Sequence, residues 1–171
     1  MKITLLSLAG LFVFTFLLLN ESCTKSGSQA TEYIADNSSF KDFATWPLQS
    51  TKHGPDPLLA AMAHANNDST VTRDEYFKNG QNAVSGKYPV GTIVVKHSHN
   101  PLGTVNEYTG MVKRGNTFDA AHNDWEYFML KSDGTIMTDT SGMAMRGANL
   151  MGGMCLGCHG GASAKDYIFS K

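Results

Sequence analysis

The sequence predicts an α+β fold that consists mainly of an antiparallel β-sheet with short helices around it. Residues 90–99 contain a β-branched run and form a predicted strand, and residues 104–113 form its partner. Trp125–Leu130 is a third predicted strand, and residues 135–138 run back beside it. Both intervening turns are short and contain glycine, which is typical of hairpins between antiparallel strands.

Length and charge restrict the class of protein. The 171 residues fit a single domain with its own hydrophobic core. A formal net charge of -1 gives no reason to expect nucleic acid or an anionic membrane surface as a partner. We divide the chain into a targeting segment at residues 1–22, a flexible Ser/Thr/Gly/Asn-rich tether at residues 23–38 and one domain at residues 39–171.

The targeting segment predicts export to the bacterial periplasm or cell envelope. Lys2 supplies a positive charge, and residues 3–19 are almost continuously apolar and uncharged. A small residue, Cys23 and a polar run then resemble a lipoprotein processing site, where the cysteine becomes the lipid-modified first residue. Glu21 departs from that pattern. Lipid attachment at Cys23, ordinary cleavage and a retained anchor helix therefore stay open.

Helix signals occur in three stretches before residue 80. Aromatic residues at every third position of residues 40–46 predict a short helix with one aromatic face. Residues 56–68 begin with Asp-Pro and are Ala-rich, which favours a helix. Thr72 and Glu75 have the spacing of a capping box, so residues 72–79 are predicted as another short helix.

The strongest chemical signal is the C-x-x-C-H motif formed by Cys155, Cys158 and His159. Two thiols at this spacing can form thioethers with the two vinyl groups of a porphyrin, and the histidine that follows can bind the iron. The motif predicts one covalently bound haem c, with Cys155 and Cys158 as attachment points and His159 as the axial iron ligand. The short helices would then pack this haem.

Three other interpretations of the motif agree less well with the sequence. A tetrahedral zinc site usually needs four ligands, and neither a second C-x-x-C nor a downstream histidine pair is present. A thioredoxin-like redox pair is expected near a βαβ pattern, and none precedes this motif. A chance match would have to coincide with an export signal, which c-type haem attachment itself requires.

The chain resembles the cytochrome P460 family, which shares its fold with the β-type cytochromes c′. The resemblance covers roughly residues 39–170. Its matching segments are Trp46-Pro47, His53-Gly54-Pro55, residues 88–96, Met111-Val112-Lys113, residues 124–128, residues 155–159 and Asp166-Tyr167-Ile168-Phe169.

The resemblance implies an antiparallel sheet, usually in a homodimer, with the haem against the sheet and His159 as its proximal ligand. It also suggests a strand within residues 56–68. In the enzymes of this family, a lysine on the sheet is cross-linked to the porphyrin, and this bond accompanies oxidation of hydroxylamine or handling of nitric oxide. The β-type cytochromes c′ lack the cross-link and bind small gases.

Lys96 is the candidate for this cross-link. Strand alternation places it on the same face as Val94, and its amine could reach a haem bound there. The alternative is a solvated lysine at the end of a strand. Lys87 and Lys113 are weaker candidates.

The enzymes of the family also use a carboxylate shortly before the haem motif as a proton relay. Residues 140–154 contain no Asp or Glu, and Arg146 is their only charged residue. A base would have to come from elsewhere, with Glu126 or a histidine as candidates. This departure favours binding of a small nitrogen species at a five-coordinate iron over its oxidation.

The main alternative function is a six-coordinate electron-transfer cytochrome with a redox protein as partner. Such a protein closes the sixth iron position with Met or a second His. The candidates are Met143, Met145, Met151, Met154, His53, His64, His97, His99 and His122. Of these, His97 and His99 are expected to face water, and Met154 is constrained by its neighbour Cys155. A weaker third interpretation is a non-haem binding module with an incidental motif.

Overall fold

The computed structural model describes residues 31–54 and 70–169, which build one antiparallel sheet. Its six strands follow one another in chain order. They are β1 (Leu48–His53), β2 (Thr72–Phe77), β3 (Ile93–His99), β4 (Asn106–Lys113), β5 (Trp125–Leu130) and β6 (Arg146–Gly147). Together with the few short helices, this sheet confirms the predicted α+β class. Residues 1–30, which include Cys23, and residues 55–69 lie outside the described part.

The three central strands agree with the sequence prediction. β3 and β4 lie within residues 90–99 and 104–113, and β5 has the predicted bounds. Residues 135–138 run back as expected, but they pair only through isolated bridges at Ile136 and Thr138.

The helix predicted at residues 72–79 is wrong, because most of this stretch is strand β2. β2 pairs with β1 on one side and with β3 on the other. A strand in this position hydrogen-bonds along both edges. That network outweighs a local capping signal, which is worth about 1 kcal/mol.

The tether prediction is wrong for residues 31–38, which pack on the sheet. The backbone N–H of Tyr33 donates to the Arg114 carbonyl at 2.8 Å, and Ala35 is buried. Asp36 then caps a 3-10 turn at Asn37–Ser39. Ala35 and the partly buried Tyr33 pack in the core on the back face of the sheet, and this burial outweighs the polar composition of the segment.

Residues 40–46 do not form the predicted single helix. A 3-10 turn at Phe43–Thr45 follows Asp42, whose φ of 58° is left-handed and interrupts a helix. Phe40 and Phe43 are nevertheless buried, as the aromatic spacing suggested.

Each face of the sheet carries its own core. The back face contains Ile93, Val95 and Val112 and packs against the N-terminal residues 35–43. The front face contains Val94, Met111, Trp125 and Tyr127 and packs against the C-terminal segment with Leu150, Tyr167 and Ile168. Lys96 lies on the front face, because it alternates in phase with Val94.

The C-terminal segment contains the one α-helix of the described residues, α1 (Met154–His159), followed by a 3-10 helix at Gly160–Lys165. Within residues 31–54 and 70–169, no helix combines the length and the apolar character needed to cross a bilayer.

Candidate functional site

Two adjoining clefts lie between helix α1 and the front face of the sheet. Their empty volumes, including space open to solvent, are about 310 and 330 Å³. Both are lined by Lys96, Thr109, Met111 and His159. The larger one also contains Cys155 and Cys158. Tertiary structure therefore brings the candidate lysine of β3 to the C-x-x-C-H motif.

Lys96 is not the solvated strand-end residue of the alternative interpretation. β3 continues to His99, so Lys96 lies in mid-strand, where it is half-buried. Burial lowers the pKa of its amine, and the nearby Glu75 carboxylate partly opposes this shift. A lowered pKa increases the neutral fraction of the amine, which is the nucleophilic form.

The two weaker lysine candidates do not line either cleft. Lys87 is exposed. Lys113 is buried and forms an ion pair with Asp166, whose carboxylate oxygens lie 2.8 and 2.9 Å from its Nζ.

His159 is held in one orientation by the chain that follows it. Its Nδ1 lies 2.7 Å from the carbonyl oxygen of Tyr167. Since a carbonyl only accepts, Nδ1 carries the proton, and the neutral ring has its lone pair on Nε2. The ring also packs against Tyr127 and Phe169, with centroids 5.3 and 5.4 Å away. A hydrogen bond from the second ring nitrogen to a backbone carbonyl is the orienting contact typical of a metal-binding histidine.

Asp166 anchors the segment that holds His159. Its buried carboxylate accepts hydrogen bonds from Lys113, the Tyr88 backbone, Asn123 and Trp125. These donors come from the sheet and its loops. Asp166 therefore positions Tyr167, and through it the imidazole of His159.

The two cysteines lie on one side of α1, because residues three apart are neighbours on a helix. Both are half-buried. Burial raises the pKa of Cys155, and the nearby Lys96 ammonium opposes that rise. A Cβ added to Gly157, between the cysteines, would meet no atom within 4 Å. A flat group could therefore approach the helix backbone there.

The hydroxyl of Tyr127 is a buried polar atom with no hydrogen-bond partner among the described residues. Burial raises the pKa of this phenol, so it stays protonated. Tyr127 lines the cleft with Cys155, Cys158 and His159. An unsatisfied buried hydroxyl is costly and points to a polar partner in the cleft. Two thiols, an oriented imidazole and this hydroxyl together fit a covalently attached haem.

Glu75 is a site residue that sequence reasoning missed as a potential base. It lies directly opposite Lys96 across β2 and β3 and lines one of the clefts. Its carboxylate accepts a hydrogen bond from the Ser50 hydroxyl at 2.6 Å. Assigning residues 72–79 to strand would have revealed it, since alternation places Glu75 on the same face as Phe77.

Glu126, the carboxylate considered from sequence, does not line either cleft. It is buried on the back face and bound to Arg146 at 2.7 and 2.9 Å and to Arg114 at 3.5 Å. A buried carboxylate held by two guanidinium groups forms a structural ion-pair network.

The sixth-ligand candidates within residues 31–54 and 70–169 also lie outside the clefts. Met143, Met151 and Met154 are exposed, and His97 and His99 lie on the back face. His64 lies outside the described residues. Met111, which sequence analysis did not consider as a ligand, lines both clefts.

Comparisons with known proteins give no relative. No family model matches the chain, no curated protein matches it, and no solved structure matches it.

Proposed function

We propose that this chain is an exported c-type haem protein of the cytochrome P460 type. In this proposal it binds or oxidises a small nitrogen species, nitric oxide or hydroxylamine, at a five-coordinate haem iron. The proposal rests on one observation. Lys96 lines the same cleft as Cys155, Cys158 and His159. Export, a lipid on Cys23 and a homodimer belong to the same proposal, through the targeting segment and the family resemblance.

The roles of the residues follow from their chemistry. Cys155 and Cys158 would hold the haem through thioethers, and His159 would bind the iron through Nε2. The bound haem would supply reversible binding of a small ligand and one-electron exchange. The Lys96 amine, in its neutral form, is the candidate nucleophile for a bond to the porphyrin edge. Such a bond would replace a porphyrin C–H and an amine N–H, and an external two-electron oxidant would have to take up the two electrons.

The position of Glu75 makes oxidation of the nitrogen species more plausible relative to simple binding. Oxidation of hydroxylamine releases protons, which requires an acceptor within reach of the substrate. The segment before the motif has no carboxylate, but the Glu75 carboxylate lies in the cleft with Lys96 and His159. We assign proton acceptance at a carboxylate oxygen to Glu75, and this supports turnover as well as binding.

Electron transfer is the second candidate function, and Met111 is the observation that favours it. This residue is buried and lines both clefts beside His159. A thioether at the sixth position would close the iron to gases and tune its potential for exchange with a redox protein.

The deciding experiment is the absorption spectrum of the ferrous protein, produced with haem-maturation machinery, before and after addition of carbon monoxide or nitric oxide. A strongly red-shifted main band that is lost in Lys96→Met, but kept in Lys87→Met, would support the cross-linked form. An ordinary c-type spectrum that shifts with the gas would support gas binding. An ordinary spectrum that ignores the gas, and begins to respond in Met111→Ala, would support electron transfer.

Two variants test the attachment itself. In Cys158→Ala, intact-mass measurement should show loss of stable haem attachment. In His159→Ala, the haem should stay attached while its spectrum changes. A wild-type protein that gains no haem mass would contradict the whole proposal.

A further inference from the structure

We propose a second metal site on the back face of the sheet, where Asp74, His97 and His99 bind one divalent transition-metal cation. The site has the ligand chemistry of Zn²⁺ and leaves at least one coordination position for water or an external ligand. It is separate from the haem proposal, because Lys96 and the clefts lie on the front face.

Strand register brings the three side chains together. His97 and His99 are two residues apart on β3, so both point to the back face. Asp74 on β2 is the direct cross-strand partner of His97. Directly opposed residues of an antiparallel pair share a face. The backbone alone therefore places two imidazoles and a carboxylate side by side.

The ligand atoms are close to coordination geometry. The Nε2 atom of His99 lies 3.1 Å from Oδ2 of Asp74. One ligand atom from each of the three residues falls within 4.8 Å of the other two. Metal–ligand bonds of about 2.0–2.2 Å place neighbouring ligand atoms of a tetrahedral zinc about 3.4 Å apart. The Asp74–His99 pair is close to this distance. The Nε2 atom of His97 lies 2.8 Å from Oδ1 of Asn106, so the His97 ring would have to turn from its present contacts to complete the site.

Neighbouring side chains already orient the ligands. The Thr51 hydroxyl donates to Oδ1 of Asp74 at 2.6 Å, which directs Oδ2 towards His99. The His97 ring stacks on Tyr108 with centroids 4.2 Å apart and on His99 with centroids 4.5 Å apart. Hydrogen bonds and packing of this kind hold metal ligands in place and raise affinity.

The donor set selects the class of cation. Two imidazole nitrogens and one carboxylate suit Zn²⁺, Cu²⁺ or Ni²⁺, whereas Ca²⁺ and Mg²⁺ prefer oxygen ligands alone. The three residues are half-buried. A cation there can therefore exchange with solvent and keep a water ligand. Binding would also cross-link β2 to β3 near the end of the sheet.

The chain contains a matched control for this site. His122 and Asp119 form a pair at 2.9 Å, with side chains 38% and 16% exposed. His99 and Asp74 form theirs at 3.1 Å, with side chains 37% and 17% exposed. Among the described residues, only the His99–Asp74 pair has a further histidine, His97, close enough to share a metal ion.

Calorimetric titration of ZnCl₂ into the full-length protein tests the proposal, with or without haem, once any free thiols are alkylated so that Cys155 and Cys158 cannot bind zinc. We expect one Zn²⁺ per chain and a rise in Tm on binding. His97→Ala, His99→Ala and Asp74→Asn should each weaken binding at least about tenfold, whereas His122→Ala should leave it unchanged.

Three results would overturn the proposal. The wild type could fail to bind, the His122→Ala variant could lose as much affinity as His99→Ala, or all three ligand variants could bind normally. Circular dichroism checks that each variant is folded. Asp74→Asn keeps the size of the side chain and one oxygen that can accept from the Thr51 hydroxyl, so it decides the question if a histidine variant does not fold.

Discussion

Glu75 and Lys96 face each other across β2 and β3, and both line the cleft that contains His159. Two opposing effects act on the pKa of the Lys96 amine. Burial lowers the pKa of its amine, and the Glu75 carboxylate raises it. The balance between these effects sets how much neutral amine is present beside the motif.

Glu75→Gln should lower the pKa of Lys96 further, because it removes the negative charge that stabilises the ammonium form. A pH titration of the Lys96 amine by NMR measures this directly. Glu107→Gln is the control, since Glu107 is exposed and its effect on the same amine is smaller. An unchanged or higher pKa in Glu75→Gln would contradict the assignment.

Lys96→Met should stabilise the haem-free protein at neutral pH. The folded-state pKa of Lys96 is lowered, so the charged amine costs stability at every pH below that pKa. The cost fades as pH rises through the folded pKa towards the unfolded value of about 10.4. Urea unfolding at pH 7 and pH 10 should therefore show a gain that shrinks at alkaline pH. Exposed Lys87→Met should show no such trend.

Asp166→Asn should reduce the free energy of unfolding by about 3 kcal/mol, because it leaves the Lys113 ammonium buried without its carboxylate. Asparagine tolerates the left-handed φ of 53° at this position, so the backbone is preserved. Asp133→Asn, in an exposed turn, serves as the control in denaturant unfolding. Equal losses in the two variants would show that the buried pair contributes little.

Tyr127→Phe should stabilise the haem-free protein by about 1 kcal/mol, because it removes a buried hydroxyl with no partner among the described residues. Tyr33→Phe should have the opposite sign, since the Tyr33 hydroxyl lies 3.1 Å from the Ser39 hydroxyl. Thermal unfolding of both variants gives the comparison. A destabilised Tyr127→Phe would mean that the hydroxyl already has a partner.

Gly134→Ala should cost at least about 2 kcal/mol more than Gly142→Ala. Both glycines have nearly the same φ, 84° and 83°, so the backbone strain of alanine is similar. A Cβ at Gly134 would lie 2.4 Å from the Phe40 carbonyl oxygen, whereas one at Gly142 would meet nothing within 4 Å. Chemical denaturation measures the free energy of unfolding of both variants. Equal losses would mean that backbone strain at positive φ, and not the clash with Phe40, accounts for the whole cost.

The parts of the fold that could be predicted are those with strong local signals. β5 has the predicted bounds, and β3 and β4 differ only at their ends, because β-branched and aromatic runs between short turns specify strands directly. β2 could not be predicted in this way. Its capping-box spacing is a local signal for helix, and only the strands on both sides make it a strand.

The sequence by itself determined the antiparallel class and the position of the C-x-x-C-H motif, because both depend on residues that are close together in the chain. Only the tertiary structure decided what surrounds the motif. Glu75, Lys96 and His159 are far apart in sequence, and they meet through strand register and the packing of α1 on the front face. A shift of one residue in that register would turn Lys96 to the back face, because side chains alternate along a strand.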